Sequence, residues 1–137
     1  MSYKFSTNSY NRLNTVNDKL IQLCELTLKR SKIDFGIAWM GGLRTAKEQN
    51  KLFLDGNSTK DGYKKKSKHQ SGMAIDFQPY VNNKLDRSEH NYLIIIGCFF
   101  ACASELGINI RSGLNWDNDQ VFILDQNFQD GGHLELI

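Results

Sequence analysis

The sequence predicts an α+β fold, a small antiparallel sheet flanked by about three helices. Three observations carry this reading. Residues 34–40, 73–80 and 133–137 alternate apolar and polar side chains as half-buried strands do. Residues 14–29, 45–55 and 86–106 carry helical periodicity or helix punctuation. After the strand at 73–80, residues 81–85 with Asn82 and Asn83 mark a hairpin turn, as antiparallel sheets use. At 137 residues and 15.7 kDa the chain is expected to be one domain, residues 1–137, long enough for a core and too short for a second module.

Taken in order, residues 14–29 place Val16, Leu20, Leu23, Cys24 and Leu28 at mixed three- and four-residue spacings, the buried stripe of an amphipathic helix. Residues 34–40 put Phe35, Ile37 and Trp39 on one face of a strand whose end delivers Gly41, Gly42 and Arg44. Thr45 with Glu48 forms a capping box and Gly56 is a stop, so residues 45–55 read as a helix. Residues 57–66 are polar and aperiodic, a solvated and mobile loop. In the strand at 73–80, Met73, Ile75 and Phe77 share one face while Ala74, Asp76 and Gln78 share the other; the apolar face packs on the core and Asp76 points into a cleft.

Residues 81–85 form the hairpin turn, because Asn tolerates positive φ better than other non-glycine residues. Asp86 and Glu89 stand at N-cap and N3 spacing of the next helix, and Gly107 stops it after Leu106. Its most apolar part, residues 92–103, is interrupted by Gly97 and falls short of the roughly 20 residues a bilayer span needs. It reads as a buried core helix. Residues 108–111 are a short strand. Residues 114–129 are irregular and contain Trp116, Phe122 and Phe128, an expected cleft-lining loop. His133, Glu135 and Ile137 alternate against Leu134 and Leu136 in a final strand.

Composition excludes some classes. A net charge of +2 is too small for nucleic-acid binding, which rests on clustered Lys and Arg neutralising several phosphates. The three cysteines, an odd count, are a poor disulfide framework and agree with a reducing compartment. Cys98 and Cys102 stand one helical turn apart among apolar neighbours and are expected to be inert core thiols. The first residues run into a polar segment with no apolar core of an export signal, so accumulation in the cytoplasm is expected.

Two short motifs carry chemistry. The first is Ser67-Lys68-His69-Gln70-Ser71-Gly72-Met73-Ala74-Ile75-Asp76-Phe77; the second is Asp130-Gly131-Gly132-His133. His69, Asp76 and His133 offer two neutral nitrogens and one anionic oxygen, three ligands of a tetrahedral zinc site whose fourth position is left for water. An open position means hydrolysis. Asp130, three residues before His133, is the carboxylate that accepts the proton of the activated water. Arg44, between a strand end and a helix cap, is placed for a guanidinium to hydrogen-bond a developing oxyanion.

The pattern Ser-x-His-x-x-Gly-x-Ala-x-Asp followed by a late Asp-x-x-His resembles the signature of the zinc D-Ala-D-Ala peptidase family, which includes D,D-dipeptidases, D,D-carboxypeptidases and phage L-alanyl-D-glutamate endolysins. The resemblance runs nearly end to end. Gly42-Leu43-Arg44-Thr45, with Gln49, Leu52 and Gly56, resembles the family's arginine-containing segment, and the Asp130 to Glu135 ending resembles its small phage endopeptidases. It implies His69, Asp76 and His133 as zinc ligands, Asp130 as catalytic base and Arg44 as stabiliser of the substrate carbonyl. The carboxypeptidase branch usually has Glu at the base position, whereas this chain has Asp130, as the phage branch does.

The function the resemblance implies is a peptidoglycan hydrolase, an endolysin that cuts the L-alanyl-D-glutamate bond of the stem peptide. It would be held in the host cytoplasm until the membrane is permeabilised and then act on the cell wall. The partner expected is the stem peptide, with neither nucleic acid nor membrane, and the chain is expected to be a monomer. Ser67 and Trp116 are expected to contact substrate, and the lysine-bearing stretch 60–68 could attract stem-peptide carboxylates. Glu135 is the alternative base or a partner of a ligand histidine. Asp117, Asn118, Asp119 and Asp125 are an oxygen-rich set that could hold a regulatory Ca²⁺, without the spaced Gly and terminal Glu of an EF-hand. His90 is expected to be exposed and idle. The alternatives are a D-Ala-D-Ala carboxypeptidase, which needs access to the periplasm, and a non-catalytic wall-binding module, which needs no base.

Overall fold

Residues 3–113 and 131–137 are described by the computed structural model. In chain order they form α1 (Thr7–Leu13), α2 (Asp18–Arg30), β1 (Asp34–Ile37), α3 (Ala46–Leu54), a 3₁₀ turn (Lys68–Ser71), β2 (Ala74–Val81), β3 (Lys84–Leu85), α4 (Glu89–Leu106), β4 (Ile110–Ser112) and β5 (His133–Leu136). The sheet is antiparallel throughout, in the order β1-β2-β5-β4, with β3 folded back on the far end of β2. This is the expected α+β architecture. No helix among the described residues is long and apolar enough to cross a membrane.

Alternation along β2 decides the two faces of the sheet. Ile75 and Phe77 are fully buried on one side, and on that side Leu134 of β5 lies opposite Ile75 while Leu136 pairs with Ile110 of β4. Helices α2 and α4 cover this face. The stripe on α2 is the one its periodicity predicts, with Leu20, Leu23, Cys24 and Leu28 buried. From α4 come Ile95, Ile96, Phe99, Cys102 and Ala103. Phe99 stands between the strands' aromatic rings, with centroids 5.2 Å from both Phe35 and Phe77, and Phe5 closes the cluster 5.7 Å from Phe35.

Several local expectations need correction. Strand β1 stops at Ile37, and Trp39 is 69% exposed instead of sharing the buried face. The chain turns at residues 38–41, with Met40 at φ 58, because the Ala38 amide donates to the Asp76 carbonyl while the Gly41 carbonyl accepts from the Asp76 amide. Helix α4 begins after Ser88, not Asp86; the Asp86 carboxylate instead accepts from the Ser88 amide at 3.0 Å, and Ser88 itself makes no side-chain cap bond. That helix is also only half sunk, since Leu93 and Ile94 are 37% and 49% exposed. The seven-residue α1 is an addition to the predicted elements. It is capped by Ser6 and docked on β1 by the Arg12 guanidinium, 2.9 Å from the Ile37 carbonyl, and by the buried Ser9 hydroxyl, which accepts from the Ile37 amide at 3.1 Å. The expected loop at 114–129 lies outside the described residues.

Other expectations hold. The capping box of Thr45 and Glu48 is formed in both directions, and Asn82 and Asn83 adopt φ 52 and 64 in the β2–β3 turn. Cys24 and Cys102 are buried and Cys98 half-buried, all three as free thiols. Burial, with Cys102 beside it, pushes the Cys98 thiol up to about 11, the mark of an unreactive group.

Because Phe99 is fully buried between two rings, Phe99→Ala should lower stability by about 3–5 kcal/mol. A urea titration of the two proteins measures this, and a loss below about 1 kcal/mol would show the aromatic cluster to be peripheral.

Candidate metal centre

Strand register brings the two motifs together. In the β2–β5 ladder Asp76 lies directly opposite His133, and Ala74 opposite Glu135, so all four side chains project from the face away from α2 and α4. Arg111 of β4 pairs with Glu135 and joins the same face. His69 arrives from the 3₁₀ turn that precedes β2. The Ser67 hydroxyl caps that turn, Gln70 bonds back to the Ser67 amide at 2.9 Å, and Gly72 ends it at φ 71. Ser67, expected to contact substrate, lines the cavity described below while its hydroxyl accepts from the His69 amide at 3.2 Å.

Two glycines let the backbone approach Asp76 from both sides. A Cβ on Gly41 would stand 2.6 Å from the Asp76 carbonyl oxygen, and one on Gly132 would stand 2.3 Å from that of Phe77. Both distances are prohibitive, so Gly41 and Gly132 are requirements of close packing around β2, whereas a Cβ on Gly42 would stand 2.3 Å from the Arg12 carbonyl oxygen and one on Gly131 would meet the Tyr92 ring.

His69 Nε2 and His133 Nδ1 each stand 3.2 Å from Asp76 Oδ1, and one ligand atom from each of the three residues lies within 4.8 Å of the others. The opposite nitrogens decide what these contacts are. His69 Nδ1 is 2.9 Å from the Gly42 carbonyl oxygen, which can only accept, so Nδ1 carries a proton. His133 Nε2 is 2.8 Å from Glu135 Oε1, an acceptor as a carboxylate, so Nε2 carries the proton there. In the neutral rings both remaining nitrogens are lone pairs aimed at a carboxylate oxygen. That arrangement requires positive charge between them, either on the rings or as a cation. Two imidazole nitrogens and a carboxylate oxygen, with both histidines buried, fit a divalent metal.

The electrostatics agree. Burial raises the Asp76 carboxyl, but the charge and hydrogen bonds of His69 and His133 prevail and hold it well below the usual carboxylate range. Glu135, 4% exposed, is likewise pushed up by burial but brought down to about 2 by the His133 hydrogen bond and by the charges of His133, Arg111 and Lys68. Its carboxylate sits 2.7 Å from Arg111 Nη2 and 3.3 Å from Lys68 Nζ. Of the two roles expected for Glu135, partner of a ligand histidine is the one its contacts match.

Arg44 is not a surface arginine. Its side chain is 10% exposed, Nε donates to the Met40 carbonyl at 2.7 Å, Nη1 to Gln49 Oε1 at 3.0 Å, and Nη2 to Asp76 Oδ2 at 2.7 Å. Two of its five N–H groups remain beyond these bonds. Gln49 is fully buried and spans two structures, accepting from Arg44 while its amide donates to Ser58 Oγ at 2.8 Å and to the Lys60 carbonyl at 2.9 Å. The loop at 57–66, expected to be mobile, is tied down by these bonds and by Asp61, whose Oδ1 accepts from the amides of Tyr63, Lys64 and Lys65 at 2.9–3.0 Å.

A cavity of about 460 Å³ opens over the three candidate ligands, lined also by Arg44, Ser58, Lys60, Lys66, Lys68 and Arg111. Asp130, expected as base, lies outside the described residues, as do Trp116 and the expected calcium set Asp117, Asn118, Asp119 and Asp125. Among the described residues, His69, Asp76 and His133 are the one group of three or more His, Cys, Asp or Glu side chains that could hold a metal. Sequence reasoning missed the roles of Gln49, Lys68 and Arg111. Only the alternation of residues 108–111 could have signalled Arg111; Gln49 makes its contacts through the fold. His90 is exposed, as expected.

Gly132→Ala should therefore destabilise the protein by about 1–3 kcal/mol through the clash with Phe77 and displace His133. Urea midpoints compare the two proteins, and an unchanged midpoint would mean that β5 starts elsewhere.

Comparisons with known proteins agree with this geometry. The model of the phage L-alanyl-D-glutamate peptidase family matches residues 1–137. The L-alanyl-D-glutamate peptidase of Escherichia phage T5 is 36% identical over 141 residues, covering 100% of both chains. The crystal structure of the Serratia marcescens L-Ala D-Glu endopeptidase ChiX superposes with a TM-score of 0.80 at 24% identity, covering 99% of this chain and 91% of that one, a likeness of fold. A full-length family match and a full-length relative, together with the His69-Asp76-His133 cluster, make this chain a member of the phage L-alanyl-D-glutamate peptidase family.

Proposed function

We propose that this chain is a zinc-dependent peptidoglycan hydrolase that cleaves the L-alanyl-D-glutamate bond of the stem peptide. The observation that carries the reading is the convergence of His69 Nε2 and His133 Nδ1 on Asp76 Oδ1, a donor set suited to zinc, in a chain similar to the L-alanyl-D-glutamate peptidase of phage T5. Bound zinc supplies a Lewis acid and a water whose pKa is lowered to about 7. The chain's own groups do the rest. His69, Asp76 and His133 hold the metal; Asp130, three residues before His133, accepts the proton of the attacking water and returns it to the departing amine nitrogen of D-glutamate as the C–N bond breaks. Arg44 orients Asp76 through Nη2 and offers its remaining N–H groups to the carbonyl oxygen of L-alanine as that oxygen gains charge. Glu135 keeps the His133 Nε2 proton and so leaves Nδ1 free for the metal.

Protein purified without added zinc should carry one zinc per chain by elemental analysis, and His69→Ala or His133→Ala should lose it. Unchanged metal in either variant would sink the ligand assignment. Asp130→Ala should keep zinc and fold while losing about 10²–10⁴-fold in turnover, the worth of a general base. Full activity in Asp130→Ala together with a dead Glu135→Ala would exchange the two roles.

In a digest of purified sacculi, mass spectrometry should find new amino termini on D-glutamate and glycan ends bearing muramyl-L-alanine. Free D-alanine as the sole product would instead make the chain a carboxypeptidase, and no product at any zinc concentration would leave a wall-binding module.

A further inference from the structure

Among the described residues, the lining of the cavity carries a charge imbalance that the mechanism does not use. Among the described residues that line it are five cationic side chains, Arg44, Lys60, Lys66, Lys68 and Arg111, against two carboxylates, Asp76 and Glu135. Three of the cations are committed. Arg44 pairs with Asp76, and Lys68 and Arg111 with Glu135. Lys60 and Lys66 pair with no carboxylate among the described residues, yet both face the same cavity as the three candidate ligands.

Both lysines are exposed, and the backbone on which Lys60 rides is held in place. The Lys60 carbonyl accepts from buried Gln49, the same side chain that holds Arg44, and the Asn50 amide donates to the Asp61 carbonyl at 2.9 Å. On the other side the Gln70 amide, from the turn that carries His69, donates to the Gly62 carbonyl at 2.8 Å. Gly62 lies at φ 88, and a Cβ there would stand 2.8 Å from the Ala46 carbonyl oxygen, so the loop lies flat on α3. Two ammonium groups that line one cavity repel each other, and an anionic group of the substrate bound between them would relieve that repulsion.

We propose that Lys60 and Lys66 form a subsite for the free α-carboxylate of the D-glutamate residue on the amine side of the scissile bond. The inference rests on the L-alanyl-D-glutamate reading above. In the stem peptide D-glutamate continues the chain through its γ-carboxyl, which leaves the α-carboxylate two bonds from the nitrogen that departs. No other bond of the stem places a carboxylate so near an L-alanine carbonyl. The subsite therefore separates D-glutamate from D-isoglutamine, in which that carboxylate is an uncharged amide.

The test uses the zinc-loaded protein and two synthetic peptides, N-acetylmuramyl-L-Ala-γ-D-Glu-L-Lys and its D-isoglutamine counterpart, with lysine third so that no other side-chain carboxylate competes. The wild type should favour the D-glutamate peptide by about tenfold in kcat/KM, the size of one charge-assisted contact. Lys60→Gln/Lys66→Gln should cut both peptides about equally, with the loss read in KM for the acid. Lys64→Gln/Lys65→Gln, two exposed lysines of the same loop that do not line the cavity, should keep the tenfold preference. Equal cleavage of both peptides by the wild type would overturn the subsite and leave the bond assignment standing. Loss of preference in the Lys64/Lys65 variant as well would overturn it in favour of diffuse attraction. Cleavage of neither peptide by the wild type would remove the bond assignment and the subsite with it.

Discussion

The pairing of Asp76 with His133 across the β2–β5 ladder is the contact on which the site depends. It joins two motifs more than fifty residues apart and puts an anionic oxygen 3.2 Å from an imidazole nitrogen. Register makes it strict: a slip of one residue along β5 would send His133 to the core face and bring Leu134 out to the cavity. The core prevents that slip. Leu134 and Leu136 are buried against Ile75, Ile110 and the α4 side chains, so the apolar face of β5 holds the position of its polar face.

Around that pairing, each candidate ligand is held by a partner that leaves one atom for the centre. The Gly42 carbonyl takes the Nδ1 proton of His69, Glu135 takes the Nε2 proton of His133, and Arg44 takes Oδ2 of Asp76. Such outer contacts fix ring orientation and tautomer, and losing one typically costs a metal site about 10–100-fold in affinity. They also balance charge. A lone buried Glu135 would be costly, but with Arg111, Lys68 and His133 around it the carboxylate stays ionised, as its depressed pKa of about 2 reflects.

Much of this was legible in the sequence because period-2 alternation is a local signal. Met73 to Gln78 divided correctly into a core face and a cleft face, and His133 and Glu135 shared a face as their spacing required. The capping box at Thr45 and the Asn-Asn turn were read from single turns of backbone, and both formed. What escaped depends on distant contacts. Helix α1 has seven residues, too few for a periodic stripe, and is held by Arg12 and Ser9 reaching β1. Trp39 left the strand face because Gly41 turns back to pair with Asp76, thirty-five residues later. Asp86 and Ser88 are both acceptable caps of α4 by residue type, and sequence spacing alone does not show that the Asp86 carboxylate turns to the Ser88 amide, two positions on, before the helix starts.

Gln49 shows how one uncharged side chain can organise a charged site. A buried amide has a carbonyl oxygen and two N–H donors, and here all are engaged: the oxygen by Arg44, the nitrogen by Ser58 and the Lys60 carbonyl. An ionised side chain in its place could not serve both ends. A glutamate would accept from Arg44 but donate to neither Ser58 nor Lys60, and a lysine would donate to the loop while repelling the guanidinium. The neutral amide accepts on one side and donates twice on the other, so the guanidinium beside Asp76 and the lysine loop over the cavity are placed by the same residue. Their separation is thus a property of α3, whose own start is fastened by the Thr45 and Glu48 box, and it does not depend on the loop finding its place unaided.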